Sequence, residues 1–201
     1  MARYTGPMTR KSRRLKVDLV GGDQAFERRP TPPGQHGVRR RKVGEYGLQL
    51  REKQKVRKTY GILERQFRNY FIAAENRPGV TGENLLRSLE MRLDNVVFRA
   101  GFAPSRAAAR QLVAHGHFAV NGVPTDIPSY QLKPGDKVEV RESRRSREPF
   151  KVAKETLRNH QAPEWLSIDA DKLVGNIVTP PTRDQMPLDL NEQLVVEYYS
   201  R

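Results

Sequence analysis

Apolar positions recur at helical spacing through residues 46–115 and then give way to short runs punctuated by turn residues. Leu63, Phe67, Tyr70, Phe71 and Ala74 form one stripe, and Leu85, Leu86 and Leu89 form a second after a start at Thr81 with Glu83 in the first turn. Both stripes predict buried helix faces, so the aromatics are read as core rather than as platforms for bases, and Leu63→Ala is expected to cost roughly 2 to 5 kcal/mol. Leu93, Val96, Val97 and Ala100 predict a further short helix closed by Gly101 and Pro104. Arg92, Asn95 and Arg99 fall on its other face, expected to be free to bind. A helix from about Arg106 to His115 pairs Ala108 with Leu112 and Ala109 with Val113, and ends at Gly116. Arg106 and Arg110 lie on its polar side, where truncation to alanine should weaken ligand binding without unfolding the protein.

Beyond Gly116 the period changes. Phe118-Ala119-Val120, Asn121-Gly122 and Val123 read as a tight hairpin, because both central residues tolerate positive φ. Lys133-Pro134-Gly135-Asp136 is a second turn delivering an alternating strand from Lys137 to Arg141. Ser143 to Arg147 reads as a polar linker, followed by a helix near Val152 to His160, and Leu173, Val174, Ile177 and Val178 around Gly175 look like strand material. Leu194 with Tyr198 and Val195 with Tyr199 predict a short terminal helix whose apolar and acidic surface would suit a protein neighbour. At the other end, Met8 to Val20 could form a short helix, while the stretch through Pro30, Pro32, Pro33 and Gly34 reads as extended. The predicted class is α+β: a basic N-terminal extension (1–45), a helical domain (46–90) on which 191–201 packs, and a domain over 91–190. The core of that last domain, 92–141, is a helix-turn-helix with a small antiparallel sheet.

Charge changes this picture from architecture to partner. The 201-residue chain holds 37 Lys and Arg against 23 Asp and Glu, a formal net charge of +14. An excess of that size repels itself unless a polyanion neutralises it, which points to nucleic acid. It is uneven: residues 1–45 hold 12 basic and 4 acidic residues, whereas 162–201 hold 3 basic and 7 acidic. No apolar run approaches the ~18 residues of a spanning helix and the N-terminus lacks an apolar signal core, so no membrane role and a cytoplasmic location are expected.

Arg92 and Arg106, with His115, His117 and Asn121 beyond them, would gather cations and hydrogen-bonding groups in one patch. Folded RNA, read by shape through phosphates, 2′-hydroxyls and exposed base edges, suits such a patch. Catalytic chemistry is poorly represented. There is no cysteine, which removes thiolate nucleophiles, disulfides and the usual structural zinc sites. The histidines are His36, His115, His117 and His160, and the His115/His117 pair has no further soft ligand nearby, so no metal or other cofactor is expected. Asp169 and Asp171 read as turn residues rather than a catalytic pair, and no phosphate-cradling glycine loop ends in Lys-Ser or Lys-Thr.

Arg92-Leu93-Asp94, Ser105-Arg106, Ala109-Arg110-Gln111-Leu112-Val113, Gly116-His117, Val120-Asn121-Gly122 and Gly135-Asp136-Lys137-Val138 closely resemble the RNA-binding module named after bacterial small-subunit ribosomal protein four. The likeness extends outward. Pro33-Gly34-Gln35-His36-Gly37, Leu63-Glu64-Arg65-Gln66-Phe67-Arg68-Asn69-Tyr70, Gly82-Glu83-Asn84-Leu85-Leu86 and Asn191-Glu192-Gln193-Leu194-Val195-Val196-Glu197 resemble the family of that protein, in a version without the cysteine zinc site.

The resemblance implies a structural constituent of the small ribosomal subunit: a primary binder of 16S rRNA at a junction in the 5′ domain, which nucleates assembly and contributes to translational accuracy. It further implies neighbours in small-subunit proteins three and five, and in some bacteria repression of the protein's own messenger. Contacts with rRNA are expected from Arg3, Arg10, Lys11, Arg13, Arg14, Gln35, His36, Lys53, Lys55, Arg57, Lys58 and Arg68. In the module they are expected from Arg92, Asn95, Ser105, Arg106, Arg110, Gln111, His115, His117 and Asn121. Arg39, Arg40, Arg41 and Lys42 would lie near the path by which mRNA enters the subunit. Because the same module accompanies RNA-modifying enzymes and some aminoacyl-tRNA synthetases, an enzyme is the alternative, although no active-site constellation stands outside the module.

Overall fold

The computed structural model describes residues 4–34, 37, 43–158, 160–186 and 190–200. In chain order its helices begin with α1 (Met8–Leu15), α2 (Gln24–Arg28), α3 (Glu45–Thr59), α4 (Glu64–Glu75) and α5 (Thr81–Glu90). Then come α6 (Leu93–Arg99), α7 (Arg106–Ala114), β1 (Phe118–Val120), β2 (Val123–Pro124) and β3 (Lys137–Val140). The remainder is α8 (Glu142–Arg145), α9 (Glu148–Leu157), β4 (Leu166–Asp169), β5 (Val174–Ile177), a 3₁₀ turn over Arg183–Gln185, and α10 (Glu192–Tyr199). The elements form an α+β fold in two compact units, 1–84 with 188–201, and 85–187.

In the first unit the basic extension organises itself locally. Lys16 takes a left-handed backbone (φ 59°) and ends α1, after which the amide of Leu19 donates to the Ser12 hydroxyl, burying Leu15 and Leu19. Asp23 caps α2 by accepting from the amides of Ala25 and Phe26, and Arg13 then donates to the carbonyls of Ala25 and Arg29. α2 was not anticipated: its five residues carry no readable period, and only the Asp23 cap signals it.

Phe67, Phe71 and Ala74 of α4 are buried, but Leu63 is 41% exposed, because it sits at the N-cap in an extended conformation off the helical stripe. The large cost expected for Leu63→Ala is therefore withdrawn. α10 starts at an Asn191 cap and packs along α3, with Val195 buried and the Tyr199 ring stacked on Phe71 at 4.6 Å. Its apolar face, expected to be exposed for a protein neighbour, is thus largely occupied within the chain.

The second unit wraps helices around an antiparallel sheet of order β2-β1-β3-β5-β4. Asn121 (φ 51°) and Gly122 (φ 81°) make the tight turn, placing Val120 opposite Val123. The Asn121 amide oxygen also accepts from the amide of Lys137, tying the hairpin to β3. Leu93, Val97, Ala109, Phe118, Val140 and Trp165 are in the core. Two boundaries differ from the pattern reading. α9 begins at Glu148 with Pro149 in its first turn, where its missing N–H costs nothing, and Ser143 to Arg147, expected as a linker, largely forms α8.

Candidate nucleic-acid interface

Basic side chains of the first unit divide by environment. Arg10, Arg14 and Arg68 are exposed, and Lys11, Arg13, Lys55, Arg57 and Lys58 are half-buried. Lys11 and Lys58 both approach the Tyr4 ring, each at 5.0 Å from its centroid. Burial, reinforced by the charges of Arg57 and Lys11, holds the Lys58 ammonium below its ordinary pKa, so these cations crowd one another.

Lys53 is different. It is buried, bonded to Glu64 at 2.7 Å and set over the Tyr198 ring at 4.2 Å, so its expected RNA contact is corrected to an internal tie. Burial alone would raise the Glu64 carboxyl. Hydrogen bonds from Lys53 and Tyr199 and the charges of Lys53 and Arg57 outweigh it and hold the group below the usual carboxylate range. Arg3, Gln35, His36, Arg39, Arg40, Arg41 and Lys42 lie outside the described residues.

The module's expected binding face turns out to be an internal polar network. Arg92 is 4% exposed, and its Nε and Nη2 donate to the Asp94 carboxylate at 3.0 and 2.7 Å. Asn95 is 2% exposed, donating to Glu90 at 2.7 Å and accepting from Arg106 Nε at 2.9 Å. Arg110 bonds the same Asp94 at 2.9 Å, and Arg99 bonds Glu90 at 2.8 and 3.0 Å. Arg92 and Asn95 are therefore corrected from free ligands to buried members of this network, because a carboxylate two residues from Arg92 and another five before Asn95 draw both inward. Arg106 and Arg110 remain half-buried, so part of each is at the surface while an acceptor fixes its position. Ser105 uses its hydroxyl to cap α7 by accepting from the amide of Ala108.

Gln111, His115 and Asn121 are exposed, but His117 is 6% exposed and packs edge-on against Phe150 at 5.6 Å, correcting its expected surface role. Burial, then the charges of Arg147, Arg144, His115 and Arg141, push its pKa down. That convergence exposes residues the sequence reading missed. Arg144 and Arg147 fall in the stretch read as a polar linker and Arg141 at the end of the predicted strand; their three-residue spacing was the available signal. Among the described residues no group of histidines and carboxylates could hold a metal ion, and no helix is long and apolar enough to cross a membrane.

Known proteins resemble the chain along its length. A family model described as the ribosomal protein S4/S9 N-terminal domain matches residues 3–90, and one described as the S4 domain matches residues 91–138. Small ribosomal subunit protein uS4 of Rhodococcus erythropolis (strain PR4 / NBRC 100887) is 60% identical over 201 residues, covering all of both chains. The proteins of that name from Nocardia farcinica (strain IFM 10152) and Mycobacterium avium (strain 104) are 59% and 57% identical over the same full span. With an S4 domain set behind its N-terminal partner domain, and relatives identical at more than half of all positions end to end, the chain belongs to the uS4 family of small ribosomal subunit proteins.

Proposed function

We propose that the chain binds the junction in the 5′ domain of 16S rRNA early in assembly, fixing RNA helices relative to one another as a structural constituent of the small subunit in the cytoplasm. The carrying observation is full-length identity of 57–60% with proteins named for that subunit. The net charge of +14 supplies the driving force by neutralising phosphates. A family of structural ribosomal proteins with an RNA-binding domain sets aside the modifying-enzyme alternative.

On this reading the contacts fall to cations with surface to offer. Arg10, Arg14 and Arg68 are exposed, Lys11, Arg13, Lys55, Arg57 and Lys58 partly so, and Gln111, His115 and Asn121 flank the half-buried Arg106 and Arg110. Ser105 serves the RNA indirectly, through the helix it caps. Arg3, Gln35 and His36 join the rRNA contacts; Arg39, Arg40, Arg41 and Lys42 border the path by which mRNA enters; proteins three and five are the neighbours. The contribution to accuracy belongs to the same proposal.

The test is affinity for 5′-domain rRNA against an unrelated structured RNA of equal length, across salt. If about 6 to 10 phosphates are contacted, affinity falls by on the order of 10³ to 10⁵ between 50 and 200 mM salt. Equal affinity for both RNAs would refute the specific ribosomal site, and a salt-independent response would refute the phosphate-driven mechanism.

A further inference from the structure

We infer that Arg141, Arg144 and Arg147, three residues apart along the chain, form a basic row that holds backbone phosphates of RNA, beside His115 and apart from the paired arginines of α6 and α7. The inference rests on the RNA-binding reading and adds a site to it.

The row is a product of backbone geometry. The amide of Arg144 donates to the carbonyl of Arg141 at 2.8 Å, that of Arg147 to Arg144 at 3.1 Å, and that of Phe150 to Arg147 at 3.0 Å. Arg141 (φ −58°, ψ 136°) and Arg147 (φ −71°, ψ 147°) are the N-caps of α8 and α9, with Arg144 in the single turn between them, and the charges of all three reach His117. The row begins where β3 ends and is anchored at both ends. Arg141 Nη1 donates to the Gly116 carbonyl at 3.0 Å, next to His115, and Phe150 is fully buried in the core.

The charge of the row is uncompensated. Arg145, between its members, turns back to donate to the Val140 carbonyl and lies 3.9 Å from Glu142. Among the described residues Arg144 and Arg147 have no carboxylate in ion-pair contact, and Arg144 Nε is buried without a hydrogen-bond partner. The ring of His115 lies 6.4 Å from that of His117, whose pKa the charges of all three arginines push down. Elsewhere in this unit Arg92, Arg99 and Arg110 are matched by Glu90 and Asp94. Like charges gathered around His117 without a counterion repel one another, and an external anion relieves that repulsion. A line of guanidiniums fits phosphates, which accept from two guanidinium N–H groups at once.

The experiment uses the full chain with R144Q/R147Q, and with K154Q/K172Q as a control that removes the same formal charge. The control residues face Asp171 and Asp169 at 3.1 and 3.7 Å. Affinity for 5′-domain rRNA is measured across salt, with thermal midpoints confirming that both variants fold. The row predicts a loss of about 10- to 100-fold for R144Q/R147Q and a salt slope shallower by about two, since each phosphate contact contributes roughly one. The control should change by less than about threefold. Wild-type affinity in R144Q/R147Q, or an equal loss in the control, overturns the row. The rRNA reading fails separately: a parent chain that binds unrelated RNA equally well refutes the specific site, yet the row still stands or falls on the difference between variants, because phosphate contacts carry no sequence information. A chain that binds no RNA refutes both.

Discussion

Arg92, Arg99, Arg106 and Arg110 differ from Arg141, Arg144 and Arg147 in what surrounds them, although all belong to the same unit. The first set is drawn inward onto Glu90, Asp94 and Asn95; the second stands in a row without carboxylates. Burying a guanidinium costs several kcal/mol unless a well-placed anion accompanies it, so the first set is held by its partners and locks α6 to α7. Of the second set, Arg141 is tied to the Gly116 carbonyl, whereas Arg144 and Arg147 have no carboxylate in ion-pair contact and are open to a ligand. Equal charge in a sequence therefore conceals opposite roles, and the acidic residues nearby decide between them.

The sharpest way to break this contrast is to remove an internal anion. Asp94→Ala leaves Arg92 and Arg110 without their shared carboxylate, with Arg92 only 4% exposed. Breaking a buried ion pair by removing one partner costs about 3 to 5 kcal/mol. Urea unfolding should show that loss in the midpoint, whereas R144Q/R147Q should lie within about 0.5 kcal/mol of the parent chain, as surface substitutions do. Similar losses in both variants would abolish the distinction between the sets.

Arg106→Ala lies between these extremes. The side chain is half-buried, donates to Asn95 Oδ1 and sits over the Phe98 ring at 4.5 Å. Its removal strands a buried amide oxygen, and a loss of about 1 to 2 kcal/mol is expected alongside weaker RNA binding. The polar-face assignment made from periodicity anticipated the binding effect alone. An unchanged unfolding midpoint would return Arg106 to the open set.

What periodicity could read, it read at the level of elements. The stripe from Leu93 to Ala100, the Asn121-Gly122 hairpin and the helix ending at Gly116 follow from local chemistry: spacing, left-handed tolerance and caps. Partnerships were not legible. Arg92 and Asn95 occupy a helix face that is polar in composition but buried in space, and nothing local announces that α7 will cover it. Lys53 was lost the same way, since Glu64 and Tyr198 lie 11 and 145 positions away and meet it only through packing. Leu63 failed for the opposite reason: a stripe extrapolated one turn too far, past the helix N-terminus. A polar residue beside a carboxylate is a candidate for an internal network before it is a candidate for a ligand.

A smaller effect sharpens the comparison in the first unit. Glu64 is an acid held below its ordinary pKa of 4.5 by Lys53, Tyr199 and Arg57 against the opposing effect of burial. Its stabilising contribution is complete above pH 4.5 and fades as pH falls through the lower folded value. Glu64→Gln should therefore be less stable than the parent near pH 7, with the gap narrowing in acid. A gap independent of pH would mean that packing, not charge, makes Glu64 matter.

The finest probe is His117, which senses the open row from inside the core. Burial, Arg147, Arg144, His115 and Arg141 together depress its imidazole below 6.5, so the neutral ring is favoured in the folded state. The unfolded chain binds the proton more readily. Stability from this group is thus present above pH 6.5 and lost as pH falls through the depressed folded value. In R144Q/R147Q two of the repelling charges are gone while burial remains, so the ring should titrate closer to 6.5 without reaching it. NMR of the His117 ring protons reads this directly. Adding phosphate-bearing RNA to the parent chain should move the titration the same way, because anions on the arginines cancel the same repulsion. A titration unmoved by both the substitution and the RNA would show that the arginines act on neither the histidine nor a phosphate strand, and the two sets would then differ only in burial.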